Sequence, residues 1–406
     1  MSAITPVGNT VSESWEALKA GRSGATRIVS MDASKYSCQI GCELKGFDPL
    51  NFIPAKKARN MADSSQVAVA AAIAAIEDAA IDLEQIDKDH MAVLLGTAGG
   101  SGVQETEIAT RQLASGRSAR LSPFQILKAW PNMPSFFIAN MYKFRGYSGT
   151  VTTACAAATQ AIGDAARLIQ TGEADMIITG GTEYMVSDTA MAGFTAMRAL
   201  ATSYNDNPEK AMRPFDADRE GFIAGGGSGI LILESLDHAL QRGARIYAEV
   251  LGSGTSNDAF HMIIPDPEGG GASLAIKRSL DSAGVGIEDI DYINAHGTST
   301  PVGDLMETKA IKSVFGERAY KIPINSTKSM VGHMMGATGA LEAIVCVMSI
   351  REGIIHPTIN YETPDPECDL DYVPNEAREA QVDIALSNSF GLGGQNACLV
   401  IGRFEA

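Results

Sequence analysis

One cysteine and two histidines stand where strand-like runs give way to small or polar residues, and these are the groups equipped for chemistry. Thr152-Thr153-Ala154-Cys155-Ala156-Ala157-Ala158 sets a thiol between a β-like run and a run of small helix formers. At a helix N-terminus, unpaired backbone N–H groups and the helix dipole favour a thiolate. The small flanking side chains let a substrate approach the sulfur closely. Asn294-Ala295-His296-Gly297-Thr298-Ser299-Thr300 puts an imidazole just past a strand, beside hydroxyl residues. Ser326-Thr327-Lys328-Ser329-Met330-Val331-Gly332-His333 puts a second one after another strand, beyond a lysine. Taken singly, each reads as an ordinary buried thiol or structural histidine. Converging from equivalent strand ends opposite the cysteine, the two histidines are less easily accidental, and the three groups read as one candidate site. The same residue types also ligate metals, but the spacing matches no zinc motif and lacks a fourth ligand, so no metal is expected to be required.

Positioning such groups calls for an α/β framework, and strand-like and helix-like runs alternate along the chain. Ser64–Leu83 is Ala-rich and helix-like, and Met91–Leu95 leads into a Gly-rich turn at Gly96–Gly100. Thr150–Thr153 precedes a helix-like run over Ala156–Ile169, and Asp175–Thr179 runs into an expected turn at Gly180-Gly181-Thr182-Glu183. Gly229–Leu233 closes this portion. The order then repeats: Ser273–Gly284 is helix-like, Ile290–Ala295 and Ile322–Ser326 are strand-like, and a helix follows over 336–350. Val382–Ser389, a turn at Gly391-Leu392-Gly393-Gly394 and Ala397–Ile401 complete it. The repeated order predicts an internal duplication, with a 1–240 half carrying the nucleophile and a 241–406 half carrying His, Lys and His. Residues 201–222 are polar and aperiodic and read as a long surface excursion.

Composition narrows the classes. The 406 residues allow about two or three domains or one large fused unit. With 45% hydrophobic and 20% charged residues, disorder, collagen-like repeats and a disulfide scaffold are excluded. Lys plus Arg number 32 against 48 Asp plus Glu, and a net charge of −16 argues against non-specific nucleic-acid binding. The longest apolar run, Val67–Ile76, stops at Glu77 and Asp78, short of the ~20 residues a membrane span needs, so no membrane association is expected. MSAITPVGNT shows no secretory signal, and six sparse cysteines read as reduced thiols in a cytoplasmic compartment.

TTACAAA, NAHGTSTPVGD, STKSMVGHMMGATGA and NSFGLGGQN, in this order, resemble the β-ketoacyl-[acyl carrier protein] synthases, the type II condensing enzymes of fatty-acid elongation. The resemblance extends through SAITPVG, RPFDADREGF and PTIN. It implies a thiolase fold of two pseudo-symmetric halves in five α-β-α-β-α layers, normally a homodimer. It also implies decarboxylating condensation of an acyl chain with malonyl-acyl carrier protein, with no cofactor beyond the carrier's phosphopantetheine. By the resemblance, Cys155 is the nucleophile, His296 and His333 donate to the malonyl thioester oxygen, and Lys328 holds the second histidine and the charge balance. Backbone N–H groups at Cys155 and near Phe390 form the oxyanion hole. Thr298 and Thr300 bind the phosphopantetheine arm, and Phe194 and Val103 contact substrate. Asn294, Glu342, Ser387 and Asn388 match positions that order the site or hold a structural cation.

Some positions depart from the family pattern. A strand and a Gly usually precede SAITPVG, so either the sequence is shorter than the natural protein or the opening strand is missing. Leu392 stands where a bulky aromatic often gates the acyl pocket, which predicts a looser gate. Because carrier proteins are acidic, docking needs a local basic patch, and Lys56, Lys57, Arg59, Arg120 and Arg198 align with docking positions. Alternatives are a ketosynthase of a polyketide or specialised-lipid pathway, or a non-catalytic synthase partner. The second Cys of a thiolase is not where that chemistry needs it, since Cys398 lies beyond the Gly391–Gly394 turn.

Overall fold

A computed structural model describes residues 1–405. The first sheet contains β1 (Ser2–Ile4), β2 (Met91–Gly96), β3 (Ser148–Val151), β4 (Met176–Tyr184) and β5 (Gly226–Glu234). The second contains β6 (Glu249–Asn257), β7 (Tyr292–Asn294), β8 (Ile324–Asn325), β9 (Ile384–Gly391) and β10 (Gln395–Gly402). Spatial order is β1-β5-β4-β2-β3 in one and β6-β10-β9-β7-β8 in the other. In both, the first three strands pair antiparallel and the last three parallel. One topology therefore occurs twice, as the repeated element order predicts.

The principal helices are α1 (Asp63–Asp78), α2 (Gly102–Ala114), α3 (Met133–Tyr142), α4 (Ala157–Gln170), α5 (Asp188–Ala196), α6 (Gly270–Ala283), α7 (Pro301–Phe315) and α8 (Thr338–Glu352). Helices α1 and α3 cover the outer face of the first sheet, and α6 and α7 that of the second. Between the sheets lie α4 and α8, giving the expected five layers. Their sequences explain this: α8 is buried from Thr338 through Ile350, and a helix apolar on all sides belongs in a central layer. Strand β2 is a continuous apolar run because it has parallel neighbours and is buried on both faces. No helix among the described residues is long and apolar enough to cross a membrane.

Several local expectations change. Gly180–Glu183 is no turn, because β4 runs through it to Tyr184. Gly180 has φ +129°, and a Cβ there would meet the Gly229 carbonyl oxygen at 2.1 Å, so the glycine serves close strand pairing. Residues 201–222 are a surface excursion only in part, since 202–210 lie at the surface but most of the rest turns inward. Ala211–Asp216 is buried: the Phe215 ring stacks on Tyr372 at 3.9 Å and Arg213 Nε donates to Asp216 at 2.9 Å. Polar residues that pair with one another bury without the apolar periodicity that sequence reading looks for. Finally, Ser2–Ile4 itself occupies the edge position, pairing with Ser228–Ile230 of β5, so the first half does have an opening strand.

Candidate active site

Cys155 sits in a short 3-10 turn, Ala154–Ala156, that runs directly into α4. His296 follows the end of β7, and His333 follows the short helix Lys328–Val331 after β8. The fold brings all three together. His333 Nε2 lies 3.0 Å from Cys155 Sγ, and one ligand-type atom from each of the three residues lies within 4.8 Å of the others. The two imidazoles meet edge-on with centroids 5.6 Å apart. All three side chains are buried.

The His333 ring and the backbone at His296 are each held by a partner that sequence reading missed, while the His296 Nδ1 is buried without a hydrogen-bond partner. His333 Nδ1 hydrogen-bonds Thr338 Oγ1 at 3.2 Å, and its backbone N–H donates to the Ile223 carbonyl at 2.9 Å. The backbone N–H groups of His296 and Gly297 donate to the buried Glu307 carboxylate at 2.8 and 2.7 Å. Asp304, one helical turn before Glu307 on α7, accepts from the Phe215 N–H at 2.8 Å and ties the buried 211–216 stretch to the same helix. Asp304 and Glu307 lie three residues apart and are both buried on α7, a placement that an amphipathic helix with Lys309 and Lys312 does not reveal in sequence. Thr300 caps α7, accepting from the Gly303 N–H at 3.2 Å, and its hydroxyl is 3.0 Å from that of Thr298.

Electrostatics corrects two expectations. The Cys155 thiol is pushed up from 9.0 to about 11, chiefly by burial, against the opposing pull of the Leu392 N–H and the Lys328 charge. Burial disfavours the charged form more than the amides and the lysine favour it. The resting nucleophile is therefore a thiol, not the thiolate expected from its place before a helix. Lys328, expected to hold His333, instead donates to Glu342 Oε1 at 2.5 Å, both side chains being fully buried. Its influence on the histidines is through charge. Burial first, and Lys328 next, hold both imidazoles well below the ordinary histidine value, so both are neutral.

The remaining candidates divide. The amides facing the sulfur belong to Cys155 itself and to Leu392, two residues beyond Phe390, whose buried ring packs on His296 with centroids 5.8 Å apart. Leu392 is 38% exposed, in the turn joining β9 and β10. Phe194 on α5 meets Phe222 edge-on, and Phe222 meets the His333 ring, so Phe194 lies one aromatic removed from the site. Val103, at the start of α2, is a surface residue, 36% exposed. Lys56, Lys57, Arg59, Arg120 and Arg198 are exposed, and none forms an ion pair among the described residues. Asn294 Oδ1, Glu342 Oε2, Ser387 Oγ and Asn388 Oδ1 are buried without a hydrogen-bond partner, and strand register sets Asn294 beside Ser387.

Comparison with known families decides the assignment. Residues 1–239 match the β-ketoacyl synthase N-terminal domain and residues 247–362 the C-terminal domain. The chain belongs to the β-ketoacyl synthase family. This synthase chain is 46% identical over 406 residues to 3-oxoacyl-[acyl-carrier-protein] synthase 2 of Staphylococcus aureus strain COL, covering 100% of this chain and 97% of that one. It also resembles the solved ishigamide ketosynthase/chain length factor, with TM-score 0.92, 38% identity and coverage of 100% and 98%. A structure of a type II polyketide acyl-carrier protein in complex with its ketosynthase bound to the hexaketide matches with TM-score 0.90, 32% identity and the same coverage. The family and thiolase fold implied by the sequence motifs are thus those of the protein.

Proposed function

We infer that this synthase joins an acyl chain, delivered on acyl carrier protein, to malonyl-acyl carrier protein with loss of CO2, giving 3-oxoacyl-acyl carrier protein in fatty-acid elongation. The observation that carries this reading is the buried contact of Cys155 Sγ with His333 Nε2 at 3.0 Å, with His296 from the same half alongside. In acyl loading, His333 accepts the thiol proton as sulfur attacks the thioester carbonyl. The N–H groups of Cys155 and Leu392 are aimed at the oxyanion, charge that exists only in the tetrahedral state. Its collapse expels the carrier thiolate, which takes up a proton. In condensation the malonyl C–CO2 bond breaks, and the enolate oxygen accepts hydrogen bonds from His296 and His333. The enolate carbon then attacks the Cys155 thioester, and the cysteine sulfur leaves and is reprotonated. A threonine hydroxyl donates or accepts, so Thr338 supports the His333 tautomer that each step needs. Thr298 and Thr300 offer hydroxyls to the phosphopantetheine arm, and Phe194, one aromatic removed from His333, is assigned to the acyl path.

His333→Ala tests this division of roles. CO2 release from malonyl-carrier should fall by about 10²-fold or more, and acyl loading, followed by quenched mass spectrometry, should fall less. Loading lost ahead of decarboxylation would overturn the assignment.

The four unpartnered oxygens of Asn294, Glu342, Ser387 and Asn388 suit a hard cation, which prefers oxygen ligands. Bound there, it would compensate charge and order the strand ends behind the imidazoles. The chemistry itself uses no metal or cofactor.

For a partner, the docking surface includes Lys56, Lys57, Arg59, Arg120 and Arg198, unpaired cations on a chain of net charge −16. Reversing Lys56, Lys57 and Arg59 to Glu should cut carrier-dependent turnover about tenfold or more at low salt while sparing loading from a small free thioester. Equal loss in both assays would remove the docking assignment. A second copy of the chain is the proposed occupant of the face where edge strand β3 adjoins exposed Phe136, making a homodimer. Six free, buried thiols suit a reducing compartment, and the cytoplasm is the proposed location. The second reading, a ketosynthase of a polyketide or specialised-lipid pathway, draws support from the ishigamide neighbour.

A further inference from the structure

Glu183, near the end of β4, is a buried carboxylate with no cationic partner among the described residues. A charge so placed is costly and persists only where donors surround it. Its donors come from both halves of the molecule. Oε2 accepts from the Ala98 N–H at 2.6 Å and the Gly336 N–H at 3.2 Å, and Oε1 from the Thr97 hydroxyl at 3.2 Å. The two loops touch: a Cβ on Gly336 would lie 2.1 Å from the Ala98 nitrogen. Gly336 belongs to the turn Met335–Ala337, two residues past His333, and this turn packs on the Ala154–Ala156 turn that carries Cys155. Ala98, Met335 and Cys155 share one apolar cluster.

We propose that Glu183 is a positioning residue of the condensing site, an anionic clasp that fixes the turn behind His333 against the first-half loop beside Cys155. It touches no reacting atom. Its effect runs through the spacing of sulfur and imidazole, and through its negative charge, which opposes thiolate formation at Cys155. Burial raises Glu183 to about 7 against the pull of these N–H donors, so its charge is present above neutrality and lost below it. The inference rests on Cys155 being the acylated nucleophile.

Glu183→Gln and Glu183→Ala separate charge from clasp. The glutamine carbonyl can still accept from Ala98 and Gly336, and its NH2 can donate to the Thr97 hydroxyl. With Gln, alkylation of Cys155 by iodoacetamide at pH 8 should run about threefold to tenfold faster than in the unaltered enzyme, its pH profile moving to lower pH. With Ala, malonyl decarboxylation should fall at least about tenfold in kcat with a smaller change in KM, and Gln should recover most of that loss. Should Ala fail to fold, the Gln alkylation profile alone decides. An unmoved alkylation profile, or an Ala kcat equal to that of the unaltered enzyme despite a lowered Tm, would reduce Glu183 to a structural residue. The unaltered enzyme is first tested for an acyl adduct on Cys155: its absence there defeats the functional reading, whereas its presence with unmoved variants defeats only the clasp.

Discussion

Cys155→Ala should abolish acyl transfer, lowering condensation by at least about four orders of magnitude. The variant deletes the only atom that can hold the acyl group between the two half-reactions. Ala fits the site, since Cys155 is flanked by Ala154, Ala156 and Ala157 and buried among apolar neighbours, so the fold should survive. Covalent labelling by a thiol-directed inhibitor should vanish as well. The other five cysteines are buried, and none of them is grouped with the two imidazoles as Cys155 is. None of these is poised to substitute. A persisting adduct on another cysteine would relocate the nucleophile. Malonyl decarboxylation should survive in part, because the two imidazoles and not the sulfur receive the enolate.

Lys328→Ala should cause the largest loss of stability. Lys328 and Glu342 are both fully buried with no other ion-pair partner among the described residues, and each compensates the other at 2.5 Å. Removing the cation leaves a buried carboxylate alone, a change that costs about 3–5 kcal/mol. Denaturant unfolding checks this through a lower midpoint with unchanged slope. The paired replacement Lys328→Met with Glu342→Leu separates fold from function, since apolar substitutes for a buried pair are often close to neutral in stability. Activity should still change in the pair variant. Lys328 is, after burial, the cause that holds His296 and His333 low. Without its charge both imidazoles move upward, so they protonate earlier as pH falls. The neutral form needed for catalysis is then lost nearer the ordinary histidine value, and decarboxylation should gain an acid limb absent from the unaltered enzyme. A pair variant as active as the original at every pH would leave Lys328 with a structural role only.

What the residues disclosed in advance depended on how local their physics is. The thiol, both imidazoles and the lysine each lie at the end of a short apolar run, and a strand end followed by small or polar residues is visible without tertiary information. The duplication was visible for the same reason, as an order of strands and helices. Contacts between distant segments were not. Glu307 and Thr338, which hold His296 and His333, look like ordinary helix residues until the layers stack. The reading of Cys155 as a thiolate failed because a sequence shows the helix that follows but not the depth of burial, and burial is the larger effect. The stretch 201–222 misled for a related reason: Arg213, Asp216 and Arg219 are buried by pairing, which leaves no apolar pattern. The Gly180-Gly181 pair looked like a turn because glycine serves both turns and close packing, and only the neighbouring strand tells them apart.

A single two-stage experiment bears on the whole account. The purified enzyme is incubated with acyl-carrier thioester and its intact mass and peptide map recorded, and malonyl-carrier is then added with rapid quenching. One acyl group should appear on Cys155, then disappear at the rate at which CO2 and 3-oxoacyl-carrier form, one of each per adduct consumed. An adduct that hydrolyses to free acid without forming a carbon–carbon bond, or a condensation that proceeds with Cys155 never acylated, would contradict it.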